Sequence, residues 1–316
     1  MVKTMKILVV GGAGYIGGYL SDLLLRNGHD ITVYDNLMFE TRYLKDINFI
    51  YGDIRERERL LKILKDFNVV VWLAAIVGDG ACAVNPALTK TINEDSVKWL
   101  VDNYEGKIVY TSTCSVYGIN DNFIDENDEF NPQSIYASTK LAAEKYITEN
   151  HDDYLIFRLG TLFGVSDDFS RARLDLVVNI LTTRAVKGET LTVFGGEQWR
   201  PILHVKDVGE ALFYCLENEV TGLFNLSYKN VKIYQIAEEI AKVIDEVKIE
   251  YVDMSFEDLR NYRVKTNRIM ATGWKPRYNI TDGIQEIAKI IEEHRILNTK
   301  DPVYHNAAFV EANNGN

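Results

Sequence analysis

Three side chains in this sequence have the types and spacing to take a proton from an alcohol: Tyr136, Lys140 and Thr113. The run Y-A-S-T-K-L-A-A-E-K-Y at 136–146 has helical propensity, and positions i and i+4 of a helix share a face, so Tyr136 and Lys140 stand together as a base and its cationic tuner. A free tyrosine has a pKa of about 10 and is nearly all protonated at pH 7, so a working phenolate needs that value lowered, which Lys140 together with the positive charge of an oxidised cofactor would favour. A lowering of ~3 units corresponds to about 4 kcal/mol, within what active sites arrange. Tyr-x-x-x-Lys alone is a weak signal, because both residue types are frequent here; Tyr146, with no lysine one turn on, reads as packing. The third element adds specificity. T-S-T-C-S-V-Y-G at 111–118 follows a β-branched run, which puts the Thr113 hydroxyl at the carboxyl end of a central strand, where open α/β sheets hold ligands.

The elements that must position these groups alternate along the chain. β-branched runs bounded by turn residues occur at Lys6 to Val10, Asp30 to Tyr34, Ile47 to Tyr51, Val69 to Leu73, Lys107 to Thr111 and Tyr154 to Leu159, separated by stretches of helical period. The alternation predicts an α/β fold of the doubly wound, parallel-sheet Rossmann type. The unbroken apolar run V-V-V-W-L at 69–73 suits a central strand covered on both faces. After Gly164 the rhythm changes, with helices expected at about Leu174 to Lys187, Asp207 to Leu216, Tyr234 to Ile244 and Thr281 to His294 among short strands. A boundary near 165 then divides the chain into 1–165, a dinucleotide-binding domain, and 166–316, a smaller α/β substrate-binding lobe. The last dozen residues, ending A-N-N-G-N, read as a frayed tail.

The first strand runs straight into G-G-A-G-Y-I-G at 11–17 and then an amphipathic stretch, Y-L-S-D-L-L-L. In that context Gly11 permits the tight turn, Gly14 lets the backbone approach a pyrophosphate, and Gly17 lets helix pack on strand, with the helix N-terminus facing phosphate charge. Asp35 ends the second strand close to the spacing of about 20 residues at which an acid accepts from the adenosine ribose diol. A carboxylate there opposes a 2′-phosphate, and the first basic residue beyond it is Arg42, so NAD is expected rather than NADP. Asp35 also reads as a strand-end turn residue, and Asp53, after the third strand, equally as a helix cap.

Composition narrows the classes of function. The chain has 316 residues, 47% hydrophobic and 26% charged, enough for a sizeable core. A formal charge of -11 argues against nucleic-acid binding, which needs a basic face to displace counterions; an anionic substrate would have to meet a few local arginines. Cys82, Cys114 and Cys215 lie far apart without a C-x-x-C pair, so neither a disulfide framework nor a metal site is expected. No apolar run nears the ~20 residues that span a bilayer, and a cytoplasmic protein without membrane partner or targeting segment is expected.

Taken together, G-G-A-G-Y-I-G, Y-D-N-L, G-D-I-R, L-A-A, T-S-T-C-S-V-Y-G and Y-A-S-T-K resemble an extended short-chain dehydrogenase/reductase of the nucleotide-sugar epimerase and dehydratase group. The resemblance covers essentially the whole chain, since G-G-E-Q-W-R-P-I-L-H-V-K-D-V at 195–208 and G-W-K-P at 273–276 also match. It implies a catalytic set of Thr113, Tyr136 and Lys140. It implies an NAD site lined by Gly11, Gly14, Tyr15, Ile16, Gly17, Asp35, Asn36, Asp53, Ile54, Leu73, Ala74, Ala75, Asn93 and Ser112 along with Tyr136 and Lys140. Substrate contacts by resemblance are Thr113, Cys114, Asn179, Arg200, Arg260 and Arg263, with the arginines meeting a sugar-nucleotide diphosphate; each arginine also reads as a surface ion-pair residue.

Departures from the group narrow the chemistry. In its 4,6-dehydratases the catalytic Thr is followed by Asp and Glu; here Cys114 and Ser115 stand there, which leaves dehydration without its acid and base. Cys114 is one place from the cysteine acid of the epimerase-reductases and reads as wall lining. The segments 74–86 and 158–171, with Thr161 in place of the group's Asn, are expected at the sugar end of the cleft. Together with D-L-R-N-Y-R-V at 258–264 they are similar to a branch that includes GDP-glycero-manno-heptose 4-dehydrogenases of capsular polysaccharide biosynthesis. Asp79, Cys82 and Arg173 are candidate sugar contacts, though loop capping and core burial explain them nearly as well.

Two classes of function stay open at this point: an enzyme oxidising carbon 4 of a nucleotide-linked sugar, as a dehydrogenase or a 4-epimerase, and a non-catalytic NAD-binding sensor. The complete Thr, Tyr and Lys set speaks for the enzyme. A homodimer is expected because Val97, Leu100, Leu141, Ala142, Tyr146 and Ile147 would leave an apolar stripe exposed.

Overall fold

The computed structural model describes residues 4–40, 42–252 and 260–313. In chain order the first half gives β1 (Lys6–Val10), α1 (Gly17–Arg26), β2 (Asp30–Asp35), β3 (Asn48–Tyr51), α2 (Arg57–Leu64), β4 (Val69–Trp72), α3 (Asp79–Val84) and α4 (Pro86–Lys90). A π-helical turn over Thr91–Asp95 leads into α5 (Ser96–Asn103), followed by β5 (Lys107–Thr113), β6 (Ile119–Ile124), α6 (Ile135–Asn150) and β7 (Tyr154–Leu159). The second half gives β8 (Thr161–Phe163), α7 (Val177–Val186), β9 (Leu191–Phe194), β10 (Trp199–His204), α8 (Val205–Glu217), β11 (Gly222–Leu226), β12 (Lys229–Lys232) and α9 (Ile233–Val243). It ends with β13 (Ile249–Val252), β14 (Asn261–Val264), α10 (Asn267–Met270), α11 (Ile280–Glu292) and α12 (Asn306–Asn313).

Seven parallel strands in the order β11-β7-β5-β4-β1-β2-β3 make the main sheet. Alternation along β1 divides its side chains between two cores. Ile7 and Val9 face Leu20 and Leu24 of α1 and Leu212 of α8, while Leu8 and Val10 face Leu60 of α2, Leu100 of α5 and Ile147 of α6. All four residues of β4 are buried, as a strand covered on both faces requires. A three-stranded sheet, β12-β10-β8, and the pair β13-β9 form the smaller lobe around Phe163, Val178, Ile202, Ile236 and Ile284.

The chain crosses between the lobes more than once, so a division at 165 does not separate them: β11 from the second half joins the main sheet, and β6 from the first half pairs with β14. Val97, Leu100, Leu141 and Ile147 are buried within the single chain, and the Tyr146 hydroxyl donates to Asp102. Four of the six residues expected to drive dimerisation are therefore covered within one chain, while Ala142 and Tyr146 stay partly exposed. The last dozen residues are not a frayed tail over the described part. α12 packs on α3, with Val310 buried and Phe309 4.8 Å from Phe39. A helix this short is marginal alone and depends on its docking, which sequence pattern does not carry. Among the described residues no helix is long and apolar enough to cross a membrane.

Candidate functional site

At the carboxyl ends of the central strands lies a cavity of about 290 Å³. Its first wall is the turn between β1 and α1. Gly11 holds φ +82°, and a Cβ there would fall 2.5 Å from the Ala74 amide nitrogen, so only glycine lets β1 and the loop after β4 meet. Gly14, Tyr15 and Ile16 line the cavity with Gly11; Gly17 does not, because it faces Gly12, where a Cβ would clash at 2.5 Å. Asp35, also on the wall, accepts from the amides of Ala13 (3.1 Å) and Leu37 (2.7 Å), and burial raises its carboxyl above the ordinary range. Asp53 is held below that range by Arg55, whose Nε and Nη2 each donate at 2.8 Å. Asn36, Ile54, Leu73, Ala74, Ala75 and Ser112 complete this half. The Ser112 Oγ is buried beside the cavity with no protein partner, an orphan hydroxyl that a bound polar ligand would satisfy. A glycine cradle, a strand-end acid and this hydroxyl fit a dinucleotide. Asn93 lies outside the lining. The π-helical turn brings its buried side chain against the loop after β4, where it accepts from the Ile76 amide (2.9 Å) and donates to the Ile76 carbonyl (2.8 Å).

The residues expected to be catalytic stand on β5 and α6. Ser134 caps α6 by accepting from the Ala137 amide at 3.2 Å, which orients the first turn carrying Tyr136. Thr113 lines the cavity with Tyr136, and its Oγ1 accepts from the Ser115 amide at 3.1 Å. Lys140 follows one turn along, 3% exposed, with Nζ 4.2 Å from the centre of the Tyr110 ring. Burial pushes Lys140 down to about 7 and the Tyr136 hydroxyl above its ordinary value, against the downward pull of Thr113 and Arg173. In the protein alone burial dominates at both groups; the lowered tyrosine expected from Lys140 belongs to the complex with an oxidised cofactor. The positive charge of an oxidised nicotinamide at the same wall favours the phenolate.

Gly160, Thr161, Leu162, Ser115 and Tyr262 form the far end, with Arg171, Arg173 and Arg260 lining it as well. Other expected substrate residues lie elsewhere. Cys114 is fully buried, its thiol donating to the Arg158 carbonyl at 3.1 Å and raised by burial. Asn179 is fully buried and ties segments together, accepting from the Gly164 amide (2.9 Å) and donating to the Arg173 carbonyl (2.8 Å). Arg200 donates to the carbonyls of Trp199 and Arg260, behind the wall. Arg263 donates to the Asp121 carbonyl between the rings of Phe123 and Trp199, away from the cavity. Cys82 is buried with its thiol on the Ile76 carbonyl. Residues Asp258 and Leu259 of the 258–264 run lie outside the described residues. The middle of 158–171 is also not at the sugar end. Ser166 accepts from the Tyr19 amide, and Lys45 bridges Asp22 and Asp167, locking this stretch on α1.

Sequence reasoning passed over Arg171 and Asn306. Asn306 is 4% exposed and lines the cavity. Its amide donates to Asp175 (3.1 Å), its Oδ1 accepts from Arg171 (2.5 Å) and its Nδ2 donates to the Val77 carbonyl (2.8 Å). Arg171 also donates to the Val303 carbonyl and covers the Phe39 ring at 4.1 Å. The C-terminal segment is thereby strapped across the cleft between the loops after β2 and β4. Only a paired R-A-R at 171–173 hints at this in the sequence.

Such a cleft, with Tyr136, Lys140 and Thr113 at one wall and a dinucleotide cradle at the other, defines a dinucleotide-dependent oxidoreductase site. Residues 7–227 match the NAD dependent epimerase/dehydratase family. The chain belongs to this family, and its cofactor is NAD. It is similar to a putative UDP-glucose 4-epimerase of Methanocaldococcus jannaschii, 29% identical over 301 residues, covering 89% of this chain and 96% of that protein. It is equally similar to the low-salt glycan biosynthesis protein Agl12 of Haloferax volcanii, 29% identical over 308 residues with the same coverage. Its fold is that of the Thermus thermophilus UDP-glucose 4-epimerase, solved with NAD: TM-score 0.79 at 24% identity, covering 92% of this chain and 100% of that one.

Proposed function

We propose that the protein oxidises carbon 4 of a nucleotide-diphospho-sugar, as a 4-dehydrogenase acting on a GDP-heptose in capsular polysaccharide biosynthesis. The observation that carries the oxidation is the convergence of Thr113, Tyr136 and Lys140 on a cavity whose other wall is the Gly11–Ile16 cradle. Tyr136 as phenolate takes the proton of the sugar 4-hydroxyl, directly or through Thr113, and Lys140 steadies the charge. NAD held by the Gly11–Ile16 turn would supply the acceptor for the hydride of carbon 4. The alcohol becomes a ketone, its proton rests on Tyr136, and no water is lost, because Cys114 and Ser115 supply no carboxylate beside Thr113. Arg260 faces the diphosphate from the cavity wall.

One observation favours a 4-epimerase as the second reading. The Asn306 strap crosses one side of the cavity, and a cofactor retained beneath it suits return of the hydride to the opposite face. Incubation with NAD and a panel of UDP-, GDP-, CDP- and dTDP-sugars, followed by mass and NMR analysis, separates the two. A released ketone with stoichiometric NADH supports the dehydrogenase; a 4-epimer without net NADH supports the epimerase; loss of water contradicts both.

A further inference from the structure

Asp79 opens α3 on the larger lobe, just after Gly78, whose φ of +99° turns the chain at the cavity wall. Its Oδ2 accepts from Arg260 Nη1 at 2.8 Å, and Arg260 stands on the segment leading into β14, across the cleft. Its Oδ1 accepts from Ser134 Oγ at 2.6 Å, and Ser134 caps the catalytic helix two residues before Tyr136. One carboxylate thus joins the start of α6 to an arginine on the opposite wall. The two side chains are 28% and 30% exposed, so an incoming anion can reach the pair. The main chain of Arg260 is fixed independently, because Arg200 donates to its carbonyl and lies over the Tyr262 ring.

We propose that Asp79 is a specificity-determining counter-ion: it holds Arg260 across the cleft and yields it to a ligand that brings a diphosphate. This rests on the nucleotide-sugar reading and adds to it the residue that sets the threshold. A guanidinium exchanges one carboxylate for another anion only when the newcomer offers more charge and more acceptor oxygens, which a diphosphate does and an uncharged nucleoside or free sugar does not. Discrimination then comes from an intramolecular competitor as well as from contacts to the right ligand. The bond from Ser134 lies on the other carboxylate oxygen, so the helix cap persists when the arginine is given up.

The test is calorimetric titration of the NAD-loaded protein with UDP, GDP, CDP and dTDP, and with the matching nucleosides. Asp79→Asn keeps an oxygen for Ser134 and removes the charge. It tightens nucleoside diphosphate binding by about two- to fivefold, the range of a partly exposed ion pair, and leaves nucleoside binding unchanged. Arg260→Ala weakens the diphosphates, and in its presence Asp79→Asn has no further effect. Asp79→Ser, with a hydroxyl in place of the charge, is the second variant if the amide disturbs folding. Unchanged or weaker diphosphate binding in an Asp79 variant whose melting temperature and NAD affinity match the parent overturns the proposal and leaves the nucleotide-sugar reading standing. A parent that binds none of the four diphosphates overturns both.

Discussion

Asn306 Nδ2 donates to the Val77 carbonyl oxygen at 2.8 Å, joining the C-terminal segment to the loop after β4. The same residue holds Asp175 and Arg171, so three segments meet at one buried amide. Asn306→Ala leaves the Arg171 and Val77 groups without this partner, at about 1–3 kcal/mol per stranded buried group. A lower melting temperature and faster NAD dissociation in stopped-flow chase experiments are expected. Removal of residues 306–316 has the larger effect on dissociation.

Asp35 is proposed to decide the cofactor. Its carboxylate is anchored at the cavity wall by the Ala13 and Leu37 amides, and an acid at this strand end accepts from a ribose diol and opposes a phosphate. Asp35→Ala weakens NAD and narrows the preference over NADP, both read by fluorescence titration. Unchanged affinity and preference would contradict this role.

Lys140 burdens the fold in the absence of cofactor. Burial lowers its pKa from 10.5 to about 7, so the unfolded chain binds more protons between those values. Stability therefore rises with pH across that window, and the cost of the buried ammonium is fully present below pH 7. Lys140→Met removes that cost. Without NAD the variant melts higher than the parent at pH 7, the gap narrows as pH approaches 10, and turnover is lost. A gap independent of pH would show that folding leaves the proton affinity of the lysine unshifted.

The buried pair of Arg158 and Glu144, 2.5 Å apart, fixes α6 against β7. Glu144→Ala strands a guanidinium in the core and destabilises by about 3–5 kcal/mol, measured by urea unfolding.

Much of this arrangement was legible in local pattern. Lys6–Val10 and Tyr154–Leu159 are strands at the boundaries their β-branched runs predict, and the Tyr136–Lys140 spacing places both on the cavity wall. What local pattern does not hold is who satisfies a polar group. Asn179 and Arg200 have the chemistry of ligand contacts, yet backbone groups of Gly164, Trp199 and Arg260 claim them. Asn306 is 229 residues from Val77 in the chain, and nothing around A-A-F-V marks a helix that closes a site built by the other end. Spacing likewise shows the proximity of Tyr136 and Lys140 and not the burial that raises the one and lowers the other in the protein alone.

The central claim is that Tyr136, with Thr113 and Lys140, drives oxidation at carbon 4. Its most direct test is to incubate the protein with NAD and its nucleotide sugar, trap with borodeuteride, and locate the label, beside Tyr136→Phe. The account predicts deuterium at carbon 4 for the parent. It predicts a normally folded variant slowed by at least ~100-fold, the loss typical of a positioned base. Near-normal turnover in Tyr136→Phe, or label at another carbon, would contradict it.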